Sequence, residues 1–343
     1  MNAKSVRVCA LLGGMAALAS ACGQDQAPSA IRASRASLLA GAGDDGQVTW
    51  GPWSTAVPVE GINSPANENH PAISKNGLSL YFTSDRKDPG ALGGEDIWVS
   101  HRANLDDPWG KPVILGPKVN SGGNDRAPNL TSDGHFLYFH SNGRGGYGGL
   151  DLFVSRRQDV DDDLGWEQAV NLGGVVNGPF DDAGPTIFED DETGITMLYF
   201  TSNRPGGPGD FDVYASTRAA DDKAFGPAVL VPELSGPFRD TRTAIRHDGL
   251  EIFLSSDSAG RPGGFGSQDI WVSTRSTTSD LWSAPKNLGS NVNTPGFDGG
   301  PALSFDGTTL YFFRAVKRAN GSVDNDLYVT TRTRTRTGLG AGR

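Results

Sequence analysis

The feature that most constrains this chain is a block of text that returns five times. Its clearest copy is residues 128–157, PNLTSDGHFLYFHSNGRGGYGGLDLFVSRR. Residues 128–131 suit a short strand. Ser132-Asp133-Gly134 supplies a tight turn, because glycine accepts positive φ and aspartate tolerates turn positions. An aromatic strand follows, centred on Leu137-Tyr138-Phe139. The next eight residues, 142–149, contain five glycines and cannot be helical. Asp151-Leu152-Phe153-Val154-Ser155 forms a third strand. The aromatic strand recurs as Leu80-Tyr81-Phe82, Leu198-Tyr199-Phe200, Ile252-Phe253-Leu254 and Leu310-Tyr311-Phe312, and the third strand opens at Asp96, Asp212, Asp269 and Asp326. Between copies lies a fourth element, an aromatic followed by an apolar run. Its aromatics are Trp53, Trp109, Trp166, Phe225 and Trp282, spaced 56, 57, 59 and 57 residues apart. Four short strands at this period form the blade of a β-propeller, so the fold class is all-β with five four-stranded blades.

The phase of the repeat predicts how the ring closes. The chain enters with the tryptophan element at Trp53 and leaves with the third strand at Asp326. The last blade thus lacks its own fourth strand, and the first fourth strand has no blade before it. Pairing the two closes the ring without a free edge.

The flanks are different in kind. Residues 1–21 carry Lys4, Arg7 and a short apolar run, and Ala19-Ser20-Ala21-Cys22 resembles a lipobox; this predicts an export signal with lipidation at Cys22. Residues 22–48 read as a flexible tether of small and polar residues. Residues 49–332 hold the propeller, and 333–343 form a basic low-complexity tail. Of the two cysteines, Cys9 and Cys22, only the second would remain after cleavage. The formal net charge is −10, and −12 without Lys4 and Arg7. That argues against a nucleic-acid partner, which calls for a basic face.

The pattern Pro-x-(Leu/Ile)-x-x-(Asp/Asn)-Gly-x-x-(Leu/Ile)-Tyr-Phe-x-Ser-(Asp/Asn), followed by Asp-(Ile/Leu)-(Trp/Tyr)-Val-Ser, resembles the WD40-like (PD-type) propeller repeat of TolB-like envelope proteins. It spans roughly residues 60–332. The third copy departs with the insertion Glu189-Asp190-Asp191-Glu192-Thr193, and the fourth carries Thr243 in place of the proline. The resemblance implies an envelope propeller that binds other molecules. TolB-like proteins have six blades and a further domain, so their own complexes do not transfer.

The repeated charges are the first candidates for chemistry. A carboxylate precedes the proline position by three residues in every copy: Glu68, Asp125, Asp182, Asp240 and Asp298. These five are expected to ring one mouth of the channel. The third-strand aspartates form a second set. Arg86, Arg144, Arg204 and Arg261 follow the aromatic strands, with Arg314 and Arg318 displaced in the fifth copy, and Arg102, Arg157, Arg218, Arg275 and Arg332 end the third strands. A feature present in every blade does a job every blade needs, such as capping a loop or pairing with an arginine of the next blade. Specific function belongs where the copies differ, at His70, Arg126, Arg239 and Arg242. The candidate ligand-binding set is therefore Glu68, His70, Asp125, Arg126, Asp182, Asp240, Arg242 and Asp298.

Two sharper chemistries are open to these residues. A glycosidase would draw an acid and a base or nucleophile from Glu68, Asp125 and Asp182. Calcium would favour the acidic runs at Asp161-Asp162-Asp163, Asp181-Asp182 and Asp190-Asp191, but none has calcium-loop spacing. No His/Cys cluster suggests zinc, and no motif suggests a cofactor. The tryptophans recur at one blade position and are expected to pack between blades. The sequence thus points to a monomeric, lipid-anchored propeller at the bacterial outer membrane that binds an envelope protein or peptide at the channel mouth without catalysis. The alternative is a propeller that binds or cleaves glycans through central carboxylates.

Overall fold

A computed structural model describes residues 48–222, 224–257 and 261–336. Among these residues every regular element is a strand. Two come before the first blade, β1 (Val48–Trp50) and β2 (Val57–Pro58). Blade 1 is β3 (Glu68–Ile73), β4 (Ser79–Ser84), β5 (Asp96–His101) and β6 (Val113–Ile114). Blade 2 is β7 (Asp125–Leu130), β8 (Phe136–Ser141), β9 (Asp151–Arg156) and β10 (Val170–Asn171). Blade 3 is β11 (Asp182–Glu189), β12 (Thr196–Ser202), β13 (Asp212–Arg218) and β14 (Val229–Leu230). Blade 4 is β15 (Asp240–Ile245), β16 (Glu251–Asp257), β17 (Gln268–Thr274) and β18 (Lys286–Asn287). Blade 5 adds β19 (Asp298–Leu303), β20 (Thr309–Lys317) and β21 (Val323–Thr331). Each blade is an antiparallel meander, and the first strands of neighbouring blades pack side by side in a ring in which β19 returns to β3.

The ring closes as the repeat phase predicts. The fifth sheet has the order β19-β20-β21-β2, with Val57 opposite Val329 and Pro58 opposite Tyr328. The Ser54 N–H donates to Thr331 O at 2.8 Å, and the Thr330 hydroxyl donates to Ser54 O at 2.5 Å. A second clasp lies beyond the expected boundaries: β1 pairs with β22 (Arg334–Arg336), so the compact unit runs from Val48 to Arg336 rather than from 49 to 332. Trp50 holds this clasp in place, with the Arg332 guanidinium 4.1 Å and the Arg246 guanidinium 4.9 Å from its ring. The expected signal, Cys22 and most of the tether lie outside the described residues.

The core lies between blades. One cluster joins Tyr81 and Ile97 of blade 1 to Leu137, Phe139 and Trp166 of blade 2, and four others repeat the theme around the ring. The fourth-element aromatic makes this joint. Trp166 meets Tyr81 edge-on at 6.2 Å, Phe225 meets Tyr138 at 6.3 Å and Trp53 meets Phe253 at 5.9 Å. The arginine that ends each third strand covers the same ring: Arg102 over Trp109, Arg157 over Trp166, Arg218 over Phe225, Arg275 over Trp282 and Arg332 over Trp53, at 4.2–4.9 Å. Such contacts contribute about 0.5–2 kcal/mol each. The aromatic itself stands ahead of the fourth strand, which is only two residues long in each blade. A strand so far out diverges with the sheet twist, and a short edge gives little for another chain to pair with.

The first strand of each blade carries a β-bulge, and the bulged residue has positive φ: His70 (46°), Ala127 (56°), Gly184 (62°), Arg242 (31°) and Gly300 (63°). Glycine is required at 300, where a Cβ would fall 2.6 Å from the Phe313 ring. The non-glycine residues at 70, 127 and 242 are held there at a cost of about 1–3 kcal/mol each.

A candidate functional site at one end of the channel

The five repeated carboxylates do not face the channel. Glu68, Asp125, Asp182, Asp240 and Asp298 are each 0% exposed, at the root of the blade. Each accepts the backbone N–H four residues earlier, from Ser64, Ser121, Gly178, Gly236 and Thr294, at 2.6–2.9 Å. Each is ion-paired with an arginine of its own blade: Arg86, Arg144, Arg204, Arg261 and Arg314, at 2.5–3.6 Å. This corrects two expectations. The five do not ring the channel mouth as ligand-binding or catalytic groups, and their arginines come from the same blade rather than the next. The bulge explains the first point: the carboxylate turns into the blade, and the two residues after it turn to the lumen. Burial pushes the carboxyls of Glu68 and Asp240 up, against the pull of their hydrogen bonds and arginines. The third-strand aspartates cap the glycine-rich loops. Asp96 accepts from Leu92 N–H and Gly93 N–H, and Asp151 from Tyr147 N–H and Gly148 N–H.

The channel wall is built from positions that differ between blades. At the end where the first strands begin, called the upper end here, lies a cavity of about 870 Å³. This falls within the range of small-ligand sites. The residue just before each third-strand aspartate faces it, and reads Glu95, Leu150, Phe211, Gln268 and Asn325 around the ring. The residue after each root carboxylate reads Asn69, Arg126, Ala183, Thr241 and Gly299; the first four line the cavity. His70, Arg126, Arg239 and Arg242, singled out in the sequence because the copies differ there, all line it. Phe211, Phe297 and Phe313 give one side an aromatic surface, with Phe297 and Phe313 stacked at 5.5 Å. The opposite end encloses only about 150 Å³.

Arg242 separates the two ends. It is 3% exposed, and its Nη2 donates to Pro128 O at 2.7 Å and lies 3.4 Å from Pro71 O, carbonyls of blades 2 and 1. Burial lowers its pKa from 12.5 to about 9, which leaves it charged at neutral pH. Two histidines flank it. The His140 Nδ1 accepts the Gly184 N–H at 3.2 Å. Thr83 and Ser255 play the equivalent part for Ala127 and Gly300, so His140 replaces a hydroxyl acceptor and carries its proton on Nε2. Burial, then the charges of Arg126 and Arg242, lower His140 to about 3. Burial and Arg242 likewise hold His70 well below its ordinary value.

Three carboxyl groups line the cavity. Asp85 is engaged by Asn67, whose N–H and Nδ2 donate to it at 2.8 and 2.9 Å. Glu95 is ion-paired with Arg126 and accepts from Asn69 Nδ2 at 3.3 Å. Burial raises its pKa, Arg126 opposes this and Asp85 adds to it, with a net upward shift. Burial also raises Asp257, against Arg239 and a hydrogen bond from Gln268. These residues went unremarked in the sequence, as did His140 and the phenylalanines. For Glu95 and His140 the signal is the same as that of His70 and Arg126, a column of the repeat that varies; Asp85 and Asp257 instead belong to a column that is Asp or Asn in four of the five copies. Among the described residues no group of three or more His, Cys, Asp or Glu is placed to hold a metal ion. Of the acidic runs, Asp163 is taken up between blades, accepting from Tyr81 at 2.7 Å and Arg157 at 2.9 Å.

No family model and no curated protein matches this sequence. Solved structures do match. The catalytic domain of the Coprinopsis cinerea GH62 alpha-L-arabinofuranosidase is 13% identical, with a TM-score of 0.53, covering 83% of this chain and 98% of that one. A thermostable family-43 glycoside hydrolase is 11% identical, with a TM-score of 0.56, over 84% and 98%. An alpha-L-arabinofuranosidase from Lactobacillus brevis is 16% identical, with a TM-score of 0.51, over 79% and 93%. At these identities the likeness shows the fold, a five-bladed propeller. These neighbours are named as glycoside hydrolases, not as protein-binding scaffolds of the TolB-like kind, so the expected reading of a non-catalytic module for an envelope protein or peptide is withdrawn.

Proposed function

We propose that the protein acts on a glycan held in the upper cavity, and that Glu95 and Asp257 are the carboxyl groups that hydrolyse a glycosidic bond there. The observation that carries this reading is the divergence of the lumen wall on a scaffold whose other positions repeat. A purely structural propeller has no need of a glutamate in one blade, a phenylalanine in another and a glutamine in a third at one position. The aromatic surface suits the apolar face of a sugar ring, and the amides of Asn69, Gln268 and Asn325 suit its hydroxyls. Glu95, shifted upward, is the proton donor to the leaving oxygen. Asp257, in another blade and beside Arg239, is the base or nucleophile, and water supplies the hydroxyl of the new reducing end. The structural neighbours, arabinofuranosidases among them, support the same class of substrate.

The experiment is sugar release from a panel of plant and bacterial oligosaccharides by the full chain, with Glu95→Gln and Asp257→Asn beside it. Each variant is expected to lose at least ~100-fold in rate while still binding. A wild-type protein that binds no saccharide would refute the reading; binding without release would remove its catalytic half. We propose further that the protein works at the envelope, tethered through Cys22, in which case Cys22→Ala releases it from the membrane fraction. The likeness to the WD40-like repeat is proposed as a kinship of the blade alone.

A further inference from the structure

Arg242 is the one cavity cation whose described partners include no carboxylate. Arg126 has Glu95, and Arg239 has Asp210 at 3.4 Å. Among the described residues Arg242 is bonded only to backbone carbonyls, through Nη2, and its Nε and Nη1 are buried with no hydrogen-bond partner. Beside it the His70 Nδ1 is also buried and unpartnered, as is the Arg126 Nε. Burying an unpaired charged donor is costly, and proteins seldom leave one without a use. The backbone reinforces the point: Arg242 and His70 occupy positive-φ bulge positions that glycine fills in two other blades. The chain accepts backbone strain to place a guanidinium and an imidazole at the inner end of the cavity.

We infer that the inner end of the upper cavity binds the carboxylate of an acidic sugar, so that the ligand is a uronate-bearing glycan rather than a neutral one. The inference rests on the reading of this cavity as a glycan site. A carboxylate next to Arg242 supplies the acceptors that Nε and Nη1 lack, and charge-assisted hydrogen bonds of this kind are roughly twice as strong as neutral ones. Arg126, nearer solvent, adds a second positive charge. The neutral histidines contribute hydrogen bonds without further charge. The phenylalanines on the blade 3 and blade 5 side are then left for the ring.

The test is calorimetry on the full chain with two probes, trigalacturonate and a glucuronate-substituted xylotriose, each paired with its methyl ester. The ester keeps the shape and removes the charge. At least one acid is expected to bind ten-fold or more tightly than its ester, and Arg242→Gln is expected to erase that gap. Because Arg242 braces three blades, Arg126→Gln provides a second measurement at a 34% exposed side chain; it is expected to weaken binding of the acid more than that of its ester and so narrow the gap. Equal binding of acid and ester in both pairs overturns the inference and leaves the glycan reading standing. Binding of no saccharide, charged or neutral, overturns both. An acid preference that survives both substitutions places the carboxylate elsewhere and overturns the assignment to Arg242.

Discussion

Asp125 and Arg126 are neighbours in sequence and belong to two different regions of the molecule. Asp125 lies at the blade root, fully buried, hydrogen-bonded to Ser121 and ion-paired with Arg144 at 3.6 Å; Arg126 faces the lumen and pairs with Glu95. The same step separates Glu68 from Asn69 and Asp240 from Thr241. At the roots, all five blades use one solution, a carboxylate with a backbone N–H and an arginine. Along the lumen, no two blades read alike. The roots answer a requirement each blade has by itself, to tie the start of its first strand to the loop before it. The lumen is shared by all five blades, so a residue there serves whatever occupies the channel. Repetition therefore marks structure and divergence marks function, within the span of one residue.

The largest effect that sharpens this contrast is expected at the roots. Glu68→Ala strands the Arg86 guanidinium, 8% exposed, without its carboxylate. Removing one partner of a buried pair costs about 3–5 kcal/mol. Urea denaturation of the variant is expected to show that loss, with ligand binding at native conditions unchanged. A variant of full stability that no longer binds saccharide would move Glu68 from the root to the site and break the comparison.

A smaller effect separates the regions by pH. His140 stays neutral in the fold down to about 3, whereas the unfolded chain takes up a proton near 6.5. Its contribution is complete above 6.5 and is lost as the pH falls toward the folded value, by up to about 1.4 kcal/mol per unit. His70 acts in the same direction. Raised root carboxyls such as Glu68 and Asp240 act oppositely, because they favour the fold when protonated. His140→Thr places at this position the residue that blades 1 and 3 use, Thr83 and Thr201, and keeps an acceptor for the Gly184 N–H. Comparing its denaturation midpoint with that of the wild type between pH 6.5 and 4 isolates the histidine. The variant is expected to lose stability less steeply in acid; equal slopes would mean that His140 protonates freely in the fold.

The fold was legible because its cause is local and repeated. Alternating aromatic strands, glycine turns and a fixed period determine blade number, and the phase of Trp53 against Asp326 determines ring closure. The clasp between Val48–Trp50 and Arg334–Arg336 was hidden, since a three-residue strand in TRTRTR text has no apolar face to announce it. The site was half legible. His70, Arg126, Arg239 and Arg242 stood out as departures from the repeat. Glu95 and His140 depart from it just as far, whereas Asp257 sits in the Asp/Asn column of the repeat itself, and which columns face the lumen depends on the bulge after each root carboxylate. That bulge shifts the two-residue alternation of the first strand, and it is written as glycine in only two of five copies, Gly184 and Gly300. Reading Asp125 as lumenal follows from its place at the start of an inner strand, with no account of the bulge that turns it into the blade.

The smallest effect on stability is the most discriminating. Glu95→Gln removes a carboxylate whose partner, Arg126, still reaches solvent. The loss is expected to be about 0–1 kcal/mol, the range of partly exposed pairs, and visible as a small change in the urea midpoint. Glutamine also keeps an acceptor for the Asn69 amide. Set beside Glu68→Ala, the variant asks whether two glutamates of one blade, 27 positions apart, hold different jobs. If Glu95→Gln costs as much stability as Glu68→Ala, Glu95 is a second root, and the carboxyl left to blade 1 in the cavity is Asp85, already bonded twice by Asn67. If the fold is indifferent to Glu95, what keeps a half-buried carboxyl with a raised pKa at that place is the molecule that enters the cavity.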